Sequence, residues 1–245
     1  MNSRRVYRHE TSGSRLTSFS VTVKETDLWV AVSSTAFDAE LSARTEQLVW
    51  KLRRLLEAYI AAHPSFAAAL EPRLVETDAP SIVHSMVKAA NRAGVGPMAA
   101  VAGAIAEAVG LYLLDYSPEV IVENGGDIFI KVIEPVRVGI YAGNSPLSGK
   151  LALLIDPAKT PLGVCTSSGT VGPSLSFGQA DAAVVIAPST PLADAVATAL
   201  GNRVQNPDDL EAALEYAQKI EGVTGALLIC GEKSAAWGEI ELKST

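Results

Sequence analysis

Four stretches of the chain combine residue types whose spacing suits ligand chemistry. In ADAVATAL, residues 193–200, Asp194 and Thr198 stand four apart, so both side chains leave one face near the start of a helix. A carboxylate and a hydroxyl so placed suit a hard cation such as Mg²⁺, which takes oxygen ligands and keeps water or phosphate in its other positions. The same pair also fits a plain helix, with an acid favouring the dipole of the first turn and Thr packing on an Ala-rich face.

ENGGDIF, residues 123–129, lies between two strand patterns. Asn-Gly and Gly-Gly accept positive φ, which predicts a tight two-residue hairpin. Two residues without Cβ would equally let backbone approach a ligand, with Glu123 and Asp127 flanking. GVGPMAAVAGAIA, residues 94–106, leads glycines and Pro97 into a helix whose N-terminal amides could hold an anion. It matches neither dinucleotide fingerprint, and small residues also permit close helix packing. CTSSGTVGPSLSFG, residues 165–178, offers hydroxyls at Thr166, Ser167, Ser168, Thr170, Ser174 and Ser176. Such a loop can donate to a phosphate or be an ordinary connection. Cys165 reads as a small buried hydrophobe, since none of the three histidines, His9, His63 and His84, is near it in sequence.

The elements that must position these residues follow from periodicity. Residues 17–33 predict a hairpin turning at Glu25-Thr26-Asp27, after a polar arm or edge strand at residues 1–15. A helix is expected over 38–62, with Leu41, Leu48, Leu52, Leu55 and Tyr59 on one stripe, and a short one over 65–70. The next starts near Pro80 with Asp78 as cap, buries Ile82, Val83, Met86, Val87 and Ala90, and stops at Gly94. Residues 97–114 predict a further buried helix rather than a membrane span, because Pro97 opens it and Glu107 sits at its centre. Short β-branched runs follow, then helices over 191–200 and 207–220 capped by Thr190 and Asn206, with Gly201 and Gly222 beyond their ends. Two strands, TGALLIC and WGEIEL, close the chain. This order describes a single α+β domain with an antiparallel or mixed sheet packed by helices, not a repeating βαβ one.

Of 245 residues, 48% are hydrophobic, enough for a sizeable core. Twenty Lys and Arg against 27 Asp and Glu leave a net charge of −7, which argues against nucleic acid as a partner. Two cysteines make a disulfide framework improbable, and no charged leader precedes an apolar run, so a cytoplasmic protein is expected. An exposed strand edge and an Ala-rich helix face leave room for a homodimer without requiring one.

Taken in order, the four segments resemble the ApbE-like superfamily, the FAD:protein FMN transferases. Those enzymes carry a Gly-Gly-Asp turn, a Thr-Ser-Gly loop and a late Ala-Asp-Ala-x-Ala-Thr-Ala-Leu helix. The matches here are Gly125-Gly126-Asp127, Thr166-Ser167-Ser168-Gly169 and residues 193–200. A closer match is to an ApbE-related branch that shares KETDL, GVGPMAAVAGAIAE, ENGGDI, CTSSGTVG and SFGQADA, over nearly the whole chain. The resemblance implies a T-fold-like domain. It implies Mg²⁺ on Asp194, Thr198 and, less directly, the carbonyl of Ala99. It implies FAD, or a similar small anionic ligand, in a cleft formed by Gly96, Ala99, Gly125, Gly126, Asp127, Thr166, Ser167, Ser168 and Gly169.

In that chemistry Mg²⁺ polarises the pyrophosphate while a hydroxyl of an acceptor protein attacks, transferring FMN and releasing AMP. The transferases also carry a His-Ile-x-Asp-Pro stretch after the Ser/Thr loop and a Lys in the Gly-rich segment. Here residues 172–177 read GPSLSF and residues 97–100 read PMAA, and the N-terminal Met-Gly-Thr and Ser-Glu-Leu elements are absent. No catalytic residue is assigned, and Asp127 and Asp181 are the nearby candidates for a base. The expectation is a flavin- and Mg²⁺-binding protein with reduced or altered transferase activity. The alternatives are a non-catalytic module for flavin or another anionic metabolite.

Overall fold

The computed structural model describes residues 15–169 and 177–245. The expected N-terminal arm, apart from Arg15, and Thr170, Ser174, Ser176 and His9 lie outside these residues.

The chain opens with a hairpin of β1 (Leu16–Val23) and β2 (Thr26–Ser33). Its turn falls at Lys24-Glu25, one residue earlier than the sequence suggests, with Lys24 at φ 53°. Thr26 is drawn into the ladder because it is buried and its hydroxyl accepts a 2.7 Å bond from Arg53. Helix α1 (Ala39–Ala62) is capped by Asp38, whose carboxylate accepts from the Leu41 amide at 2.6 Å. Its buried stripe is Leu41, Thr45, Val49, Leu52 and Leu56, rotated from the expected one, so that Leu55 is exposed. After α2 (Pro64–Ala67), helix α3 (Ser81–Ala93) starts behind Pro80 without a side-chain cap, so Asp78 does not serve as one. It ends at Gly94 in the left-handed conformation, φ 66°.

The Ala/Gly segment forms a 3₁₀ turn, Pro97–Ala100, and then α4 (Val101–Leu113), bent 105° from α3. Helix α4 is largely buried against β3 (Val120–Asn124), β4 (Asp127–Lys131) and α5 (Thr190–Arg203). Gly110 brings it onto Phe129, for a Cβ there would lie 2.1 Å from the ring. No single described helix is long and apolar enough to cross a membrane.

Then come β5 (Val136–Gly139), β6 (Leu151–Ile155), β7 (Leu162–Ser167) and β8 (Ala182–Ala187). Helix α5 starts one residue earlier than expected, behind Ser189, and runs through Gly201 to Arg203. Gly201 is therefore inside the helix, where it lies against Ser167 and Ala183 of the sheet. A further 3₁₀ turn, Pro207–Asp209, carries a capping box with Asn206 and leads into α6 (Leu210–Gln218). The chain ends in β9 (Gly225–Cys230), β10 (Lys233–Gly238) and β11 (Leu242–Ser244). The expected final strand over 237–242 is thus broken at Gly238, φ 78°, where the chain leaves one sheet for another.

Every pairing is antiparallel. Eight strands run in the order β1-β2-β3-β4-β7-β8-β9-β10, and a small sheet in the order β11-β6-β5. The large sheet is apolar on both faces. Val122, Phe129, Cys165 and Val185 face the helices. Ile121, Ile130, Val164 and Val184 face Leu153 and Ile155 of the small sheet. The result is an α+β domain of three layers, helices over a large sheet over a small one.

Candidate functional site

Side chains alternate along a strand, so one end of the large sheet presents Asn124, Asp127, Cys165 and Ser167 toward the helices. Asn124 and Asp127 close the two-residue turn, with Gly125 at φ 71° and Gly126 at φ 113°. The tight hairpin read from ENGG is therefore present. It also lies beside the Ser/Thr segment, since a Cβ at Gly126 would stand 3.7 Å from the Thr166 carbonyl oxygen. Its amide is already committed, donating to Glu123 Oε1 at 3.1 Å. What this turn offers a ligand is the missing Cβ, not the Gly126 N–H.

Asp194 enters from α5. Its Oδ2 accepts a 2.8 Å bond from the Gly103 amide in the first turn of α4, and the Ala102 amide also donates to this carboxylate. Asp194 thus caps α4 from a neighbouring helix. Glu107 of α4 returns the contact, accepting at 2.6 Å from the Thr190 amide at the start of α5. Asn124 completes the junction by donating to the Ala102 carbonyl at 3.1 Å. Gly103 is what lets the helices meet: a Cβ there would lie 2.7 Å from the Thr190 carbonyl oxygen and 2.8 Å from Asp194 Cβ.

The remaining sequence-derived residues divide. Half-buried Thr198 follows Asp194 by one turn, and half-buried Ala99 sits in the 3₁₀ turn that packs against α5. Thr166, Ser167 and Ser168 are half-buried at the end of β7, and Ser167 Oγ would be 3.4 Å from a Cβ at Gly201. Gly169 marks the base of the loop, donating to the Ala180 carbonyl at 2.8 Å. Gly96 does not open toward this group. A Cβ there would lie 1.8 Å from the Ala69 carbonyl oxygen, so its small size serves packing.

Burial, followed by the charge of Glu123, pushes the Asp127 carboxyl up to about 7, against hydrogen bonds from the Cys165 thiol and the Thr166 amide. Burial and then Asp127 hold Asp194 well above the usual carboxylate range, against the Gly103 and Ala102 amides. Burial and both carboxylates push the Cys165 thiol well up, so it is protonated, and its single S–H is shared between Asp127 and the Thr190 carbonyl, the latter 3.4 Å away. Among the described residues, no Lys or Arg acts on either acid. Asn124, Asp127 and Asp194 are all buried, each retaining 8% of its surface.

A protonated thiol is a poor ligand for zinc, and among the described residues no group of three or more His, Cys, Asp and Glu is arranged to hold a metal. Carboxylate oxygens such as those of Asp127 and Asp194 suit a hard cation rather than zinc. His63 lies on Tyr59 and near Glu76, and His84 beside the Thr77 carbonyl, so neither is a base here. A surface groove of ≈ 410 Å³ over α1, lined by Trp50, Lys51 and Arg54, does not touch the site. Asn124 and Glu107 were not among the sequence candidates. Asn before Gly-Gly reads only as a turn former, and a mid-helix Glu gives no sign of the helix end it will cap.

Comparison with known proteins bears on this arrangement. The sequence model of the family described as AbpE bacteria matches residues 8–242. The "UPF0280 protein" of Methanocella arvoryzae is 50% identical over 196 residues, 78% of each chain. That of Methanocaldococcus jannaschii is 40% identical over 225 residues, 90% of each. Among solved structures, the flavin transferase ApbE of Vibrio cholerae superposes with a TM-score of 0.58 at 15% identity, covering 91% of this chain and 96% of that one. The apo flavinyl transferase ApbE of Pseudomonas stutzeri gives 0.55 at 15%, covering 91% and 94%. At that identity the likeness is one of fold. The chain belongs to the AbpE bacteria family, an ApbE-like branch with the ApbE fold.

Proposed function

We propose that this protein binds a flavin dinucleotide together with Mg²⁺ between the 3₁₀ turn Pro97–Ala100, the β3–β4 turn, the end of β7 and α5. The observation that carries the reading is the buried Asp127–Asp194 pair, which no basic side chain among the described residues neutralises, beside a Cβ-free turn and a run of hydroxyls. Asp194, Thr198 and the Ala99 carbonyl are the residues that would hold the cation. Mg²⁺, when bound, supplies positive charge against a pyrophosphate. Ser167 and Ser168 would donate hydroxyls to the ligand, whereas the Thr166 side chain, directly opposite Val184, falls on the small-sheet face of the strand. Gly125-Gly126 would let the ligand approach without a side chain intervening.

Transfer of FMN would form a P–O bond to an acceptor hydroxyl, break the pyrophosphate and release AMP. The hydroxyl proton then needs a base, which typically contributes about 10²–10⁴-fold. Asp181 is committed elsewhere, its Oδ2 accepting from the Gly231 amide at 2.7 Å. Asp127 remains, near neutrality but buried behind the turn. Binding with weak transfer to a Ser or Thr acceptor is therefore the expected behaviour. That the described residues offer no accessible base beside the acid pair favours a non-catalytic flavin-holding module as the second reading.

The test is FAD titration with and without Mg²⁺, followed by incubation with a flavin-acceptor protein and in-gel fluorescence. Mg²⁺-dependent binding that Asp194→Ala abolishes, with faint labelling, is expected. Binding without any labelling selects the module. Strong labelling lost in Asp194→Ala restores full transferase activity, and no FAD binding at all removes the flavin reading.

A further inference from the structure

Asp194, Thr198 and Asn202 lie four residues apart along α5, so one stripe of the helix runs from the acid pair to the helix C-terminus. Asn202 is about 12 Å along the axis from Asp194, at 1.5 Å per residue. Its Oδ1 accepts a 2.9 Å bond from the Phe177 amide, and Gln205 Nε2 donates to the Phe177 carbonyl at 2.9 Å. Gln179 donates to the Val204 carbonyl at 2.7 Å. Gly178 fits flat against the helix, for a Cβ there would lie 1.8 Å from the Gly201 carbonyl oxygen. Residues 177–179 are thus stitched to the end of α5 on both sides of the chain, yet the Phe177 side chain stays 55% exposed.

Holding an apolar ring in water with a fixed backbone gains nothing for folding. It is the arrangement of a preorganised contact, whose ordering cost is already met before a ligand arrives. The C-terminus of a helix carries partial negative charge, so this end repels phosphate and suits an uncharged group. We propose that Phe177 is a stacking platform for a planar ring of the nucleotide bound at Asp194, and that Asn202 is the positioning residue that aims it. This rests on the flavin-cleft reading and adds the residue that would recognise the ring.

The experiment compares wild type, Phe177→Ala, Phe177→Trp and Asn202→Ala in Mg²⁺, with FAD and inorganic pyrophosphate as probes. Flavin fluorescence and calorimetry provide the readouts. Phe177→Ala is expected to weaken FAD about tenfold, the loss of one base–aromatic stack. It leaves pyrophosphate binding and thermal stability unchanged. Phe177→Trp restores affinity and quenches the flavin, and Asn202→Ala weakens FAD but not pyrophosphate. Wild-type affinity for FAD in Phe177→Ala, or equal loss of both probes, overturns the platform while leaving the cleft reading intact. Wild-type protein that binds no FAD removes the cleft reading and the platform with it.

Discussion

Asp127 and Asp194 face each other in a junction that water barely enters, and that sets their response to pH. A carboxylate whose folded pKa is raised binds its proton more tightly in the native state than in the unfolded chain. The native state therefore loses stability as pH climbs from the ordinary Asp value of 3.8 to about 7, where Asp127 ionises. Above that window the cost is on the order of a few kcal/mol. The metal-free protein is expected to melt at a lower temperature at pH 8 than at pH 5, with Asp127→Asn removing part of that decline and the buried Asp194 keeping the rest. Millimolar Mg²⁺ should restore stability at pH 8 in the wild type but not in Asp194→Asn. A melting temperature that stays flat with pH, or Mg²⁺ protection that survives in Asp194→Asn, would contradict this account. Asp194 was legible from its spacing to Thr198. Its partner Asp127 entered as a turn flank, because register across two strands and a helix is invisible in a single chain.

At the scale of elements, α4 and α5 cap each other, Asp194 holding the start of one and Glu107 the start of the other. Gly103 and Gly110 test the two faces of α4 separately. A methyl at Gly103 would press on Thr190 and Asp194, and one at Gly110 on the buried Phe129 ring. Either Ala substitution should cost about 1–3 kcal/mol in denaturant unfolding, partly offset by the better helix propensity of Ala. Only Gly103→Ala should also abolish Mg²⁺ protection. Equal Mg²⁺ protection in both variants would separate the junction from the cation site. Most element types were readable from 3.6- and 2-residue periods and from Pro, Gly and Asn punctuation. The errors arose where tertiary contact overrode local grammar. Gly201 ends no helix because α5 needs it against the sheet, and Gly238 ends β10 because the chain turns there, at φ 78°, toward the second sheet.

Across the whole molecule, the sheet is pinned at the opposite end of β3 from the cleft by an ion pair. Arg15 meets Glu119, whose side chain is 2% exposed and also accepts from the Ile133 amide at 3.0 Å. Arg15→Ala leaves that charge buried with only an amide, and should cost about 3 kcal/mol in urea unfolding without altering FAD affinity. A loss under 1 kcal/mol would mean that water reaches Glu119. The order of strands and helices could be read from the sequence and fitted a helix-packed antiparallel sheet. The eight-strand order and the second sheet could not, because nothing local encodes which distant strands pair.

The reciprocal capping of α4 and α5 also bears on how the chain reaches its native state. The bond between Gly103 and Asp194 closes a span of 91 residues, and that between Glu107 and Thr190 one of 83. Long closures pay their chain entropy before any contact repays it, so this junction forms after the local hairpins and helices. Until it forms, the amides that start each helix lack their partners and Asp194 stands apart from Asp127. On the proposed function, a cation would meet the acid pair only once this junction has formed, so its binding would be coupled to that step of assembly. Occupancy would then deepen the native basin as a whole, by the logarithm of free ligand over its dissociation constant, instead of rigidifying one corner of it.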